Sequence, residues 1–400
     1  MAAVAALGAA RRKEQAAAAE GTKAEARVLG LGSAGVDYVA LVDAFPSPDD
    51  KVRVRSAFQS GGGNVANTLT ALSRLGVATE LLTKIGQDEN GSAVLSELTS
   101  DGVGTSLVLR SRDTSTAWTY VIVDKETKTR TCIHTPQQQE LTPLDVGQSR
   151  AAHDLAQGRY SLVHLDSRHT HAALELARLA NSLAVPVSID AEKNRPPFFD
   201  ELLPLCNIIF TNERFPRIYL AAANPGRDDD KIAQLFQTTR AEIIVTSLGA
   251  KGSVLYLRRK AANSAELGAG AGGGAGAGGG AGAGAGGEEE SAAAALAICR
   301  APIPQLRVTR ESRGDYDVLY CPAWPLAEEQ VVDTTGAGDA FIGGFLAGHI
   351  HRLPPEKCLQ LGTLCAANKI MQPGSRRGLP TARDMQLLIT TTTTTTAPAP

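Results

Sequence analysis

The run Val331-Val332-Asp333-Thr334-Thr335-Gly336-Ala337-Gly338-Asp339-Ala340-Phe341 carries the densest chemistry in the chain. A β-branched stretch ends in an acid and two threonines. A Gly-Ala-Gly turn, a second acid and an apolar segment from Ala340 to Ile350 follow. This order predicts a strand, a tight turn and a helix N-terminus. The amides of Gly336, Ala337 and Gly338 have no intrahelical acceptor there, and with the helix dipole they form an anion site. A carboxylate at Asp339 opposes an anion, so it needs a reason of its own. A general base that takes a hydroxyl proton while the amides hold a transferring phosphoryl group is such a reason. A glycine turn with a helix-capping aspartate is the plainer alternative.

A second polar motif, Gly61-Gly62-Gly63-Asn64-Val65-Ala66-Asn67, opens a helix. Glycines permit close backbone approach, and two asparagines offer donors and acceptors to a polyol; a glycine turn with an N-cap would look the same. Arg130 lies on a segment that could fold over a site and reach sugar or phosphate oxygens, or it is a solvated charge. Lys193 follows a strand end, where ligands gather in open α/β sheets, with the same alternative. A Walker phosphate loop is absent, because Gly249-Ala250-Lys251-Gly252-Ser253 fails its spacing. Gly30-x-Gly32-x-x-Gly35 imitates a dinucleotide fingerprint, but the residues after Gly35 alternate as a strand where that fold needs a helix.

Asp333 to Asp339 resembles the C-terminal signature of the pfkB (ribokinase-like) carbohydrate kinases, and Gly61 to Asn67 their N-terminal one. The resemblance runs from about Val28 to about Pro380 with one insertion. Within the family the likeness is to ketohexokinase, through Gly62, Gly63, Asn64 and Asn67, the opening Gly32-x-x-x-Val36-Asp37, Val163-His164-Leu165, and Val187-Ser188-Ile189-Asp190-Ala191-Glu192-Lys193. The resemblance implies an α/β fold with a central, mostly parallel sheet between helices and a small β-sheet lid. It implies ATP-dependent phosphorylation of a primary hydroxyl, with Asp339 as base and the Gly336–Gly338 amides as anion hole. A ketose such as fructose is the favoured acceptor and a nucleoside or other polyol the alternative.

The same resemblance puts Asp37 on the sugar hydroxyls, where a turn-capping aspartate is the other reading. Val245-Thr246-Ser247-Leu248-Gly249-x-x-Gly252 is similar to the strand and turn beside adenosine, opposite a helix wall at Thr363, Ala366 and Ala367. Asp333, Thr335 and Gly374 match positions that hold a monovalent cation such as K⁺ in some relatives. Magnesium is expected on the ATP phosphates, because Phe215 stands where an Asn-x-x-Glu motif from Asn212 would end. A catalytically inactive binding or scaffold protein is the rival from another class; Phe215 favours it and Asp339 opposes it.

The surrounding pattern fits. Strands are expected at Ala26–Gly32, Lys51–Phe58, Thr79–Ile85, Leu162–Leu165, Val185–Asp190, Asn207–Thr211 and Glu242–Ser247, with helices at Val65–Leu75, Ser92–Leu98 and His171–Leu183. Trp118–Val123 and Arg130–His134 read as a hairpin. Alternating β and α segments argue for a parallel sheet covered on both faces. The strand-rich segments near 35–60 and 105–135 break that rhythm and form the lid, a candidate homodimer contact.

Residues 27–385 form the domain. Residues 1–26 are alanine-rich, a Gly/Ala insertion occupies about 264–290 between the strand-like Ser253–Leu257 and Asp317–Cys321, and 386–400 form a Thr/Pro tail. All three are expected to be disordered. A net charge of −2 gives no general pull toward nucleic acid. No apolar run is long enough to span a bilayer. Six scattered cysteines fit reduced thiols, hence a cytoplasmic protein. An organellar address is the alternative if Arg11 and Arg12 belong to a transit peptide. His169/His171 and His349/His351 are expected at the surface or in loops.

Overall fold

A computed structural model describes residues 26–127, 129–223, 230–259, 297 and 303–387. The proposed disorder of residues 1–25, of the Gly/Ala insertion and of residues 388–400 lies outside them. Residues 386 and 387, expected in the tail, end a short helix begun at residue 382.

The central sheet has ten strands. In chain order they are β1 (Arg27–Leu31), β4 (Ala78–Gly86), β5 (Val108–Ser111), β8 (Leu162–Asp166), β9 (Val187–Ala191), β10 (Ile208–Asn212), β11 (Ile243–Ser247), β12 (Ser253–Arg258), β13 (Thr309–Arg313) and β14 (Tyr316–Cys321). Their spatial order is β13-β14-β12-β11-β10-β9-β8-β1-β4-β5. From β11 to β5 all neighbours are parallel, and β12, β14 and β13 are antiparallel additions at one edge. Short β-branched runs such as Ile208-Ile209-Phe210 and Ile243-Ile244-Val245 suit strands covered on both faces. Successive residues feed opposite layers: Val28 joins one hydrophobic cluster, Leu29 and Leu31 the other.

The lid is a four-stranded sheet ordered β3-β2-β6-β7, from β2 (Gly35–Val42), β3 (Ser56–Gly62), β6 (Ala117–Asp124) and β7 (Arg130–Thr135). The expected hairpin is present, with Thr119 opposite His134 and Val123 opposite Arg130. The strand expected from Lys51 starts only at Ser56. Its partner β2 is paired no further than Leu41 opposite Ser56, so residues 51–54 stay exposed and unladdered.

One further expectation is corrected. Val331 and Val332 form no strand. The amides of Val332 and Asp333 both donate to the Ile370 carbonyl, 2.8 and 3.1 Å away, because the end of the helix Pro355–Ile370 supplies the acceptor a sheet neighbour would have supplied. His169 lies in a bend before the helix Thr170–Ser182, outside regular structure as expected, but it is buried, and its Nδ1 accepts from the Leu141 amide at 3.4 Å.

Three helices carry the site. Asn64–Arg74 buries Val65, Leu69 and Leu72. Ala337–Ile350 is apolar around its whole circumference and almost entirely buried. It packs between Asn64–Arg74 and Pro355–Ile370, as a helix without a wet face must. The N-terminal ends of the first two helices thereby meet where the parallel strands end, the usual ligand crevice of such sheets.

Candidate active site

A cavity of about 500 Å³ opens at the C-terminal ends of the parallel strands, under the lid. Strand ends give it Asp190, Asn212 and Ser247, and the lid gives it Asp37, Thr119, Arg130 and His134. Sheet register explains the lid set. Asp37 stands opposite Thr119, which stands opposite His134, so the three share the face turned inward.

Asp339 lies in the first turn of the helix Ala337–Ile350 and is 8% exposed. Gly336, at φ 77°, makes the left-handed turn that aims this N-terminus into the cavity. Among the described residues the amides of Gly336, Gly338 and Asp339 have no acceptor. Ala337 differs from expectation: its amide donates to the Thr334 carbonyl at 3.2 Å and closes the turn. The unengaged amides at this helix terminus are therefore those of Gly336, Gly338 and Asp339.

Asn67 Nδ2 donates to Asp339 Oδ2 at 2.8 Å. Burial pushes the Asp339 carboxyl well above the usual carboxylate range; the Asp190 charge adds to this, and the Asn67 bond opposes it. Asn64 Nδ2 donates to Asp190 Oδ2 at 2.7 Å. Desolvation raises Asp190 to about 7 against that bond. The two asparagines thus each hold one cavity carboxylate.

Gly62 passes so close to Asp37 that a Cβ there would lie 2.5 Å from its Oδ1, and Gly63 has φ 99°. Asp37 is 9% exposed. Burial raises its carboxyl, and the Ser375 hydroxyl at 3.1 Å and the charge of Arg376 pull it back. Arg376 is wholly buried. It donates from Nε to Asn67 Oδ1 at 3.0 Å and from Nη2 to the Gly62 carbonyl at 2.7 Å. On the other side of the cavity, Arg130 donates from Nη1 to Thr334 Oγ1 at 2.6 Å and ties the lid to the anion-hole loop. Lys193 is exposed on the cavity wall.

Asp37, Gly63, Asn64, Asn67, Arg130, Lys193, Thr335, Gly336, Gly338 and Asp339 all line this one cavity. The nucleotide set does not: Thr246, Gly249, Gly252, Thr363 and Ala366 line no part of this cavity. Strand alternation turns Val245 and Ser247 toward it, leaving Thr246 buried with its hydroxyl 2.9 Å from that of Thr211. Gly249 and Gly252 form the turn closed by Leu248 N–H to Gly252 O at 2.8 Å. Thr363 is buried 3.6 Å from Cys321 Sγ, and Ala366 packs against the core.

The cation set also reads differently. Asp333 Oδ1 accepts from the amide and hydroxyl of Thr335 at 2.8 and 2.7 Å, and Oδ2 from the Gly374 amide at 2.8 Å. Lys369, fully buried, donates to the Asp333 and Gln372 carbonyls at 2.8 and 3.2 Å. Burial lowers its ammonium to about 8. The Asp333 carboxylate, the Asp333 carbonyl and the Gln372 carbonyl are thus engaged by protein donors, and as arranged Asp333 does not fit a monovalent ion.

Phe215, where a glutamate was sought, is core, stacked on Tyr219 and edge-on to Phe199. Asn212 Oδ1 accepts from the amides of Arg214 and Phe215 at 3.0 and 2.9 Å, so it caps a helix. No group of three or more His, Cys, Asp or Glu side chains among the described residues is arranged to hold a metal. Val163-His164-Leu165 is interior sheet, His164 Nδ1 lying 3.0 Å from Ser188 Oγ. Sequence reasoning gave no role to Asp190, Lys369, Arg376, Arg168 or Arg195. Only Asp190 stood in a quoted motif. Arg168 and Arg195 line the cavity beside His134, and with burial they hold its imidazole below the usual range.

A carboxylate beside free helix-terminal amides, closed over by a polar lid, defines a phosphoryl-transfer site. Residues 25–267 and 315–382 match the pfkB family carbohydrate kinase profile, and the chain belongs to that family. It is an ATP-dependent carbohydrate kinase, of the group of sugar and nucleoside kinases with the ribokinase fold.

A nucleoside kinase of Methanocaldococcus jannaschii is 23% identical over 363 residues, 89% of this chain and 94% of its own length. An ATP-dependent ribose-1-phosphate kinase of Halopiger xanaduensis is 30% identical over 189 residues, 47% of this chain; the match spans only 62% of that enzyme's length. The solved ribokinase of Arabidopsis thaliana, complexed with ribose and ATP, superposes with a TM-score of 0.63 at 18% identity, covering 92% of this chain and 99% of that one. These relatives are a nucleoside kinase, a ribose-1-phosphate kinase and a ribokinase, so the narrower likeness to ketohexokinase gains no support from them.

Proposed function

We propose that the chain transfers the γ-phosphoryl group of ATP to a primary hydroxyl of a small sugar held by Asp37, Asn64 and Asn67. The observation that carries this is Asp339 itself, buried, raised in pKa and oriented by Asn67 beside unengaged amides. The acceptor hydroxyl gives its proton to Asp339, and the helix-terminal amides stabilise the negative charge of the phosphoryl group in flight. ATP with Mg²⁺ supplies that group; the amides, Arg130 and Lys193 are the donors on this chain suited to its phosphates, with the metal carried mainly by phosphate oxygens and water.

A ribose unit is put ahead of the fructose that the asparagine motif favours. Relatives acting on ribose, its 1-phosphate and nucleosides support that order. Dimerisation through the lid belongs to the same reading: Tyr120 and Ile133 project from its outer face, 51% and 54% exposed. The test is ATP consumption with ribose, ribose-1-phosphate, nucleosides and fructose in parallel. Turnover with ribose or a ribosyl compound upholds the order, turnover with fructose alone reverses it, and none with any acceptor refutes the reading.

A further inference from the structure

We infer that the ammonium of Lys369 is a tethered counter-cation for the anion-hole loop, standing where a monovalent metal ion would otherwise be required. The loop from Asp333 to Gly338 needs its backbone held so that the amides of Gly336, Gly338 and Asp339 point together. Its first residue is clamped on all sides. The Asp333 carboxylate accepts three hydrogen bonds, two from Thr335 and one from Gly374. Its carbonyl accepts from Lys369 Nζ at 2.8 Å, and the same ammonium reaches the Gln372 carbonyl at 3.2 Å. One cation thus bridges the start of the anion-hole loop and the segment Gln372 to Arg376, which holds Asp37 through Ser375 and Asn67 through Arg376.

Carbonyl oxygens around a compact positive charge are the coordination that a large monovalent ion takes. An ammonium group is of similar size and makes directed hydrogen bonds to the same oxygens. Here its stem rises from the helix Pro355–Ile370, and the residue has no exposure. The charge is therefore supplied with the fold and does not exchange with the medium. Removing it would leave the buried Asp333 carbonyl without a donor, untie the Gln372 carbonyl, and deprive Asp333 of its neighbouring positive charge. Lys369 lines no part of the cavity and acts as a positioning residue.

This rests on the kinase reading only for rates, so the test has two independent arms. The first is the melting temperature of the intact protein, and its rate with the best acceptor, in KCl and in tetramethylammonium chloride at equal ionic strength. Agreement within about twofold in rate, with unchanged melting, is expected of a built-in charge. Strong K⁺ activation, or K⁺-specific stabilisation, overturns the inference, and the melting result decides it even if no acceptor is found.

The second arm is Lys369→Ala. Its kcat should fall by ~10²-fold with the acceptor KM little changed, and ammonium or potassium ions should restore part of the rate while tetramethylammonium does not. A Lys369→Ala enzyme with wild-type kcat overturns it. If that variant does not fold, Lys369→Arg replaces it; unchanged kcat and melting there, in a pocket of two carbonyls shaped for an ammonium, also count against it.

Discussion

Asn67 and Asp339, 272 residues apart in the chain, are joined by a 2.8 Å hydrogen bond from the amide of one to the carboxylate of the other. Each stands in the first turn of its own helix, and those two helices pack directly on each other. The bond leaves Asp339 Oδ1 as the oxygen available to an acceptor hydroxyl. Asn67 is fixed in turn, because its own carbonyl oxygen accepts from Arg376 Nε at 3.0 Å. The two signature motifs are thus halves of one hydrogen-bonded chain running from Arg376 to Asp339.

Asp339→Asn should abolish most turnover and leave ATP binding intact. A positioned general base contributes ~10²–10⁴ in rate, and the isosteric amide keeps the helix N-terminus and its free amides. Stopped-time assays for kcat and calorimetry for ATP check the two halves. Near-native kcat would remove Asp339 from the role of base. Asn67→Ala should cost less, and the double variant little more than Asp339→Asn alone, because residues acting as a unit are not additive.

The Asp190 charge adds to the raised pKa of Asp339, so Asp190→Asn should move the acid limb of the kcat/KM profile to lower pH. The sign follows from charge: deleting one negative neighbour makes the other carboxyl easier to ionise. Stability has its own sign. Asp190 titrates at about 7 in the fold against an ordinary 3.8. The folded state therefore binds a proton that the unfolded state has released, and stability declines as pH climbs through that window. The gain in melting temperature from Asp190→Asn should accordingly be present at pH 8 and vanish toward pH 4. A gain of equal size at both ends would mean that charge is not its cause.

Arg376 is the side chain behind the reacting groups whose loss should do most damage to the fold. It is buried, binds Asn67 and the Gly62 carbonyl, and has Glu97 Oε2 at 3.9 Å from Nη1. Arg376→Leu strands these acceptors in the interior and should cost about 3 kcal/mol. Denaturant unfolding measures this. A loss below a few tenths of a kcal/mol would show that the site collapses onto water without penalty.

What could be read from sequence follows a physical divide. The β/α alternation and the lid were legible because burial on both faces writes itself as β-branched runs, and the exposed lid as alternation. The run from Asp333 to Asp339 was legible because its turn, amides and acid are contiguous. Lys369 was not: a lysine near a helix C-terminus looks solvated, and only packing of Pro355–Ile370 on the loop at Asp333 makes it an interior charge. Arg376 and Asp190 likewise acquire their roles from partners more than a hundred residues away. Thr246 is turned away from the cavity that its neighbours Val245 and Ser247 line, because one residue along a strand turns a side chain to the opposite face.

Asp37→Ala should separate the acceptor from the nucleotide. Asp37 lies on the inner face of the lid beside Thr119 and His134, while the free amides of Gly336 and Gly338 lie at the helix terminus. A buried carboxylate in that place accepts from sugar hydroxyls, and a polar site loses heavily when such a partner is missing. A charged hydrogen bond is worth about 3 kcal/mol at most, so kcat/KM for the acceptor should fall by ~10²-fold. ATP affinity, measured by calorimetry without acceptor, should hardly change. Loss of ATP affinity with the acceptor KM retained would put the two subsites the other way round. If neither changes, Asp37 serves only to hold Ser375 and the lid in place, and the sugar is read by Asn64 and its neighbours alone.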